Sequence, residues 1–596
     1  MKFERFNIVA ASVLTSSLAF ASAETFYVAK NGSATNSGSI DSPLLTINAA
    51  AQLAQPGDTV IVGEGVYREW VDPPRGGASE DSRITYKAKE GDLVVILGSM
   101  EMTGWIPDGD VWKLELPSET FGELNPYAEG IRHPSYVEED ESGDGWGWLK
   151  YGRWAHRGDV IINGMGLVEQ ETSDGLAEPM SWYTETSDEQ TTIWINVADL
   201  NPNTDNVELS RLPFGIFPSR AGLDYITVFG FVVANVATHW APPTEFQPAA
   251  IGPNGGNHWI IENNVVVHSR GVGISIGIPS GDADLEEAGH HIIRNNVLLR
   301  NGQAGIAGQS WNHHTVIEGN WVEDTNYREE FGGWETAGIK LHNADDVLVA
   351  DNVVVNVSTI DAEIGAAHGV WIDYENTNTR VTRNLISGAE GMSVLMEANW
   401  NGPNTVDHNL VFGGGLGTYS SRGDAWIHNL FVDTVPTWED QDWDNRIPVS
   451  NSQWVQNIFV GKGLDDLPSH SPDMLVSGNV FGSGAAAFPE TENPALANSL
   501  DAQLARVDSC TFEVSLEGAS DLAASRMPDL SFLPVDLSRD FNGTNREGGG
   551  VVAGPFASFA EGPAIVRVSA PPSYSLTQRY LSTLSAGSGL TQACGN

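Results

Sequence analysis

The sequence predicts an all-β chain, a right-handed parallel β-helix (a solenoid) with an inserted β-rich lobe. Three observations predict it. Nine short segments repeat one pattern: an apolar pair or triplet, a polar position, Asn, then another apolar run. They carry Asn264, Asn296, Asn320, Asn352, Asn384, Asn409, Asn429, Asn457 and Asn479, spaced by 20 to 32 residues. A recurring period of about 20–50 residues marks a stacked-repeat architecture. The apolar runs are β-branched, as in Ile260-Ile261, Val265-Val266-Val267 and Val353-Val354-Val355, with Gly and Asn between them, the composition of strands and turns. Each unit is too short for a helix pair, so the Asn side chains are expected to stack as an internal ladder at a turn. Parallel crossovers are right-handed with few exceptions.

The elements follow in order. Residues 1–23 read as a secretory signal: Lys2 and Arg5 precede the apolar stretch Ile8 to Phe20, and Ala21-Ser22-Ala23 fits a small-residue cleavage site. No other segment approaches the ~20 apolar residues of a membrane span, so the expectation is a secreted or periplasmic protein that is not membrane-bound. Residues 24–100 read as an N-terminal cap and first coils. Leu45 to Leu53 is a short amphipathic helix over the open end of the stack, where bare strand edges need cover. Residues 101–215 break the rhythm with Trp105, Trp112, Trp146, Trp148, Trp154, Trp182 and Trp194, and read as the inserted lobe. Its run Glu138-Glu139-Asp140-Glu141 lacks EF-hand spacing. It reads as a solvated loop, with structural calcium as the minority alternative and no cofactor required. Residues 216–490 resume the coils. Residues 491–596 read as a C-terminal cap and tail, with a helix between Ser573 and Ser585. Cys510 and Cys594 are the only cysteines, and export permits a bridge between them.

Charge narrows the ligand. The chain has 78 acidic and 31 basic residues, a net charge of −47. That field disfavours nucleic acid and polyanionic polysaccharides; a neutral oligosaccharide is the expected partner. Charge and pattern leave the oligomeric state open. The same acidity serves solubility in any exported protein.

Aligning coils on the Asn register locates candidate chemistry. Counting twelve residues back from Asn352, eleven from Asn384 and twelve from Asn409 reaches Lys340, Asp373 and Glu397. Each is the charged residue of an apolar strand. Side chains alternate faces along a strand, so the three are expected in one outward column, with His342, Glu375 and Asn399 in the column two residues on. Gly277 and Gly308 would leave open space beside it. Adjacent strands lie about 4.8 Å apart, so Asp373 and Glu397 would hold carboxyl groups at the ~5 Å separation of retaining glycosidases rather than the wider gap of inverting ones. Lys340 would favour the ionised Asp373 as nucleophile, leaving Glu397 as general acid/base. Trp334, Glu335, His342, Trp371, Glu375 and Trp400 would line the sugar pocket with Lys340: aromatic faces suit pyranose rings, and Glu335 and His342 offer hydrogen bonds. Carboxylates on a solenoid's outer face are otherwise plain solvated charges, and Trp371 could equally be packing. His268, His313 and His314 read as turn or surface residues, and no His/Cys cluster has metal spacing.

At these residues the chain resembles a known family. The run Glu335-Thr336-Ala337-Gly338-Ile339-Lys340-Leu341-His342, then Gly369-Val370-Trp371-Ile372-Asp373-Tyr374 with Thr379 to Leu385 behind it, then Glu397 followed by Gly402-Pro403 and Val406-Asp407-His408-Asn409, is similar to family 120 of the glycoside hydrolases. Ile161-Ile162-Asn163-Gly164, Trp182-Tyr183 and Asn201 to Ser210 resemble that family's insert. The resemblance implies a right-handed β-helix with a β-rich lobe, acting as a retaining β-xylosidase on short xylo-oligosaccharides. It places the nucleophile at Asp373 and the acid/base at Glu397. The segment Met396-Glu397-Ala398-Asn399-Trp400-Asn401-Gly402 is one residue longer than the family pattern, with Trp400 inserted beside the acid; that loop bears on which sugar the pocket takes. Three alternatives stand beside this: a β-helix glycosidase of other sugar specificity, a polysaccharide lyase using Lys340 as base, and a non-catalytic glycan-binding solenoid.

Overall fold

The structure is a computed structural model. It describes residues 23–132, 152, 154–241, 247–277, 288–308, 310–333, 335–361, 367–441, 448–461, 474–485, 495–519, 522, 527–546, 552–559 and 564–584. The candidate Trp334, the acidic run 138–141, Trp146, Trp148, Cys594 and residues 1–22 lie outside them. Cys510 is disulfide-bonded.

Three long parallel sheets wind into a right-handed β-helix. Two have thirteen strands each, running from Thr25–Val28 to Leu475–Ser477 and from Gly65–Tyr67 to Ala495–Leu496. The third has eight, from Ala249–Ile251 to Val435–Glu439. The corner between the first two sheets carries the Asn ladder. From Asn264 to Asn457 each Nδ2 donates to Oδ1 of the next rung at 2.9–3.1 Å. Each Oδ1 also accepts the backbone N–H of the rung before, at 2.8–3.0 Å. The polar position before each Asn makes the bend: Asn263, Asn295, Asp351, Arg383, His408, His428 and Gln456 all have φ between 55° and 58°. That left-handed conformation is costly for most residues, and the paired rungs over-determine it.

Alternation then sorts the third sheet. Ile339, Leu341, Val370, Ile372, Val394 and Met396 point into the central core; their neighbours in sequence point outward. The second sheet is apolar on both faces. Its outward residues, among them Val297, Trp321, Val353 and Leu385, are covered by C-terminal residues including Phe512, Val514, Tyr574 and Leu581. The C-terminal residues, read from sequence as a cap, thus lie along the side of the stack. They form a three-stranded antiparallel sheet (Asp501–Asp508, Thr511–Glu517, Ala564–Ser569) and a helix over Tyr574–Thr583. At the other end the helix Ile47–Leu53 buries Ile47, Ala50 and Ala51 over the first strands, with Thr46 capping its N-terminus.

The lobe holds a four-stranded and a five-stranded sheet, largely antiparallel, spanning Ser99–Glu101 to Val207–Ser210. A buried ionic network ties it to the coils. Arg270 bonds Glu169 at 2.6 Å and Glu330 at 2.7 Å, and Arg328 bonds Asp159 at 2.8 Å.

Candidate active site

The outward ends of four neighbouring strands in the third sheet, Ala337–His342, His368–Asp373, Met392–Glu397 and Gly415–Tyr419, build the site. Register places His342 opposite Asp373, Asp373 opposite Glu397, and Glu397 opposite Tyr419. Asp373 and Glu397 therefore stand side by side, one strand spacing (about 4.8 Å) apart.

This column corrects the sequence reading in three places. Lys340 is not level with Asp373; it pairs in register with Trp371, one outward position earlier. His342, not Lys340, is the column neighbour of Asp373. The cause is turn length. His342, Asp373 and Glu397 lie ten, eleven and twelve residues before their Asn rungs, so each turn is one residue longer than the last and a near-constant count slips. Glu375 and Asn399 do not form the second outward column. Asn399 is buried in a second, shorter ladder, its Oδ1 accepting from Asn376 Nδ2 at 3.1 Å. Asn376 Nδ2 also donates to the Asp373 carbonyl at 2.6 Å, and Asn399 Nδ2 to the Ile372 carbonyl at 3.0 Å. This ladder pins the turn directly after Asp373. Glu375 sits on the turn and accepts from Asn343 Nδ2 at 3.2 Å. Gly308 pairs with Leu341 rather than with the column.

Lys340 still reaches Asp373, because its side chain lies along the outward face. Its Nζ is 3.1 Å from Asp373 Oδ2 and 2.6 Å from Glu335 Oε2, and 3.3 Å from the centroid of the Trp371 ring. His342 Nε2 is 3.5 Å from Asp373 Oδ2. Its Nδ1 lies 3.0 Å from Asn343 Oδ1; since the Asn343 amide N–H is given to Glu375, Nδ1 is the donor there. Burial alone would push the Asp373 carboxyl up. The Lys340 ammonium and the His342 ring outweigh it and hold Asp373 well below the usual carboxylate range. Burial likewise lowers the proton affinity of Lys340, but Glu335 and Asp373 more than reverse this, so it stays charged. Burial raises Glu335, with Lys340 opposing and Asp373 adding.

Glu397 is held differently. Trp371 Nε1 donates to its Oε2 at 3.1 Å, and Gln441 Nε2 donates to its Oε1 at 2.6 Å. Trp371 is 5 % exposed. One ring face lies under Lys340 and its edge meets His368, ring centroids 4.6 Å apart. It is part of the frame rather than an open stacking platform. His368 is buried, its pKa lowered to about 3 by burial and then by Lys340, and its Nδ1 accepts the Met392 N–H at 2.9 Å. An aromatic rim runs past the column: His342 stacks on Tyr374 at 5.3 Å, and Tyr374 meets the edge of Trp400 at 5.3 Å. Trp400 Nε1 is buried with no hydrogen-bond partner among the described residues. Sequence reasoning missed His368, Tyr374, Tyr419 and Gln441. Tyr419 was within reach, being the next member of the column; Gln441 carries no local signal.

Fold and site together define a class: a right-handed parallel β-helix with paired carboxylates on an outward sheet face, the arrangement of a glycoside-hydrolase scaffold. A family model described as "Right handed beta helix region" matches residues 247–432. Among solved structures the chain is similar to "The complex structure of XylC with xylose", at 28% identity and TM-score 0.77, covering 91% of this chain and 100% of that one. This likeness of structure extends over nearly the whole chain. A structure described as "Glycoside hydrolase" aligns at TM-score 0.43 and 12% identity, covering 79% of this chain and 97% of that one. The "Uncharacterized protein YwoF" of Bacillus subtilis (strain 168) is 36% identical over 77 residues; the match spans 13% of this chain and only 16% of that protein.

Proposed function

We propose that the protein is a retaining glycoside hydrolase that removes sugars from short neutral oligosaccharides, with β-xylosides of xylo-oligosaccharides as its substrates. The observation that carries this is the register pair Asp373 and Glu397, adjacent on one outward face. The ~5 Å spacing of such a pair leaves no room for a water between a carboxylate and the anomeric carbon, and suits direct attack. Asp373, kept ionised by Lys340 and His342, attacks the anomeric carbon and forms a glycosyl-enzyme. Glu397 protonates the departing oxygen, then takes a proton from the water that releases the sugar. The rim of His342, Tyr374 and Trp400 is the sugar platform. Lys340 and Glu335 act on the substrate through Asp373. The choice of xylose rests on the likeness to the xylose-bound XylC. Residues 1–23 fit export to the periplasm or medium, where such oligosaccharides occur.

The lyase reading needs Lys340 neutral, as a base. Its ion pairs with Glu335 and Asp373 oppose that. A screen of chromogenic aryl glycosides (β-xyloside, α-arabinoside, β-galactoside, β-glucoside), with nuclear magnetic resonance of the first-formed anomer, tests the proposal. Turnover of the β-xyloside with a β-configured first product supports it. An inverted product, or an unsaturated product absorbing in the ultraviolet, refutes it.

A further inference from the structure

We infer that Gln441 is a positioning residue for Glu397 and, together with Trp371, biases which carboxyl oxygen carries the catalytic proton; this rests on the proposed acid/base role of Glu397. The two donors come from opposite directions along the stack. Trp371 is on the strand before Glu397. Gln441 follows the Val435–Glu439 strand, two coils beyond, since Glu397 is level with Tyr419 and Tyr419 with Glu439. To reach Glu397 the chain folds back across the Tyr419 coil, and Ser420 anchors it there. The Gln441 N–H donates to Ser420 Oγ at 2.7 Å, and the Ser420 N–H donates to the Glu439 carbonyl at 2.8 Å.

The chemistry of the two donors differs. An indole N–H can only donate, so Glu397 Oε2 must remain an acceptor in both protonation states. Because the unprotonated oxygen of a carboxylic acid is the better acceptor, this bond favours placing the exchangeable proton on Oε1, the oxygen that Gln441 touches. A primary amide has a donor end and an acceptor end. Gln441 donates to Oε1 when Glu397 is ionised. By turning over, it can accept from Oε1 when Glu397 is protonated, until substrate takes that proton. A residue that only donated would bias Glu397 toward the base form and oppose the first step.

The test uses the full chain with Gln441→Met, which keeps the shape and removes both amide functions, and Gln441→Ala as a second variant should the first fail to fold. Gln441→Met removes a bond to each form of Glu397, and the bond to the ionised carboxylate is the stronger of the two, so the proton affinity of Glu397 rises. The alkaline limb of kcat/KM, which reports loss of the acid, should move up by about one pH unit. kcat should fall about 10–100-fold for an alkyl xyloside, whose leaving group needs the proton, but only about threefold for an activated aryl xyloside. An alkaline limb displaced by less than about 0.3 unit, or equal losses on both substrates, overturns the inference. Glu397→Ala is run alongside: if it is inactive toward the alkyl xyloside while Gln441→Met shows no limb shift, the inference falls and the function stands. Wild-type turnover in Glu397→Ala overturns both.

Discussion

Trp371 donates its Nε1 hydrogen to Glu397 Oε2 at 3.1 Å while the face of the same ring carries the Lys340 ammonium, which in turn binds Asp373 at 3.1 Å. One indole thus joins the two carboxylates without touching the space between them. It sets the Glu397 carboxylate by a hydrogen bond and the Asp373 carboxylate through a cation held over its ring. A phenylalanine at 371 would keep the cation's seat and remove the donor. We predict that Trp371→Phe lowers kcat on an alkyl xyloside by about tenfold or more and leaves the acidic limb of the pH profile in place, because Lys340 still holds Asp373 ionised. Steady-state profiles decide this; a displaced acidic limb would contradict it.

The two carboxylates should fail in different ways. In Asp373→Ala no glycosyl-enzyme forms, so even an activated aryl xyloside should react at least about 10³-fold more slowly. In Glu397→Ala the first step survives with a good leaving group and the second stalls. Added azide then replaces the water and gives a glycosyl azide of retained configuration. An inverted azide from Glu397→Ala would mean that the two roles are exchanged.

Lys340→Met should shift the pH dependence in a defined direction. Asp373 is held well below the ordinary carboxylate range, with burial opposing and Lys340 the largest of the favourable contributions. Without Lys340 the burial contribution prevails, and the Asp373 proton affinity rises. The acidic limb of kcat/KM should move up, costing activity from the acid side first. An acidic limb that stays in place would show that Lys340 does not govern Asp373.

Asp424 offers a test away from the chemistry. It is fully buried and its Oδ2 finds no partner among the described residues. Burial raises its pKa to about 7, with Ser421 and Asn404 opposing. An unfolded Asp titrates near 3.9, so the folded chain holds more protons between those values. Its contribution to stability is complete below about pH 4 and is lost as pH rises through 7. Asp424→Asn removes that loss, a difference on the order of a few kcal/mol at high pH. The variant's melting temperature should gain on the parent's between pH 4 and pH 8.5, with the gap several degrees larger at the higher pH. An equal gap at both would dismiss the protonated Asp424.

The ladder should be costly to break at one rung. In Asn384→Ala, Asn352 loses the acceptor of both its Nδ2 and its backbone N–H, and Asn409 Oδ1 and the Val349 carbonyl each lose one donor, all in the interior. Stranding buried polar groups costs about 1–3 kcal/mol each. Differential scanning calorimetry should show Tm falling by several degrees; an unchanged Tm would mean that the rung is dispensable.

By itself the sequence determined the periodic part of this protein. A polar residue in the left-handed conformation followed by a buried Asn can recur between β-branched runs only if coils stack, so the parallel β-helix, its ladder and the short helix over its first strands were legible from residue types and spacing. So was the adjacency of Asp373 and Glu397, since both close apolar strands on consecutive coils. Tertiary structure decided whatever depends on the length of a turn or on a return of the chain. The turns after His342, Asp373 and Glu397 differ by one residue each, which moved Lys340 out of the column, put His342 into it, and left Glu375 on a turn and Asn399 in a ladder. Three consecutive valines at 353–355 read as a strand; that C-terminal residues cover its outward face was decided by the tertiary structure. Gln441 reaches Glu397 from two coils away, 44 residues on in the chain. A stacked fold brings such residues together by the climb of the coil and the length of its loops, and no local pattern of residue types records either.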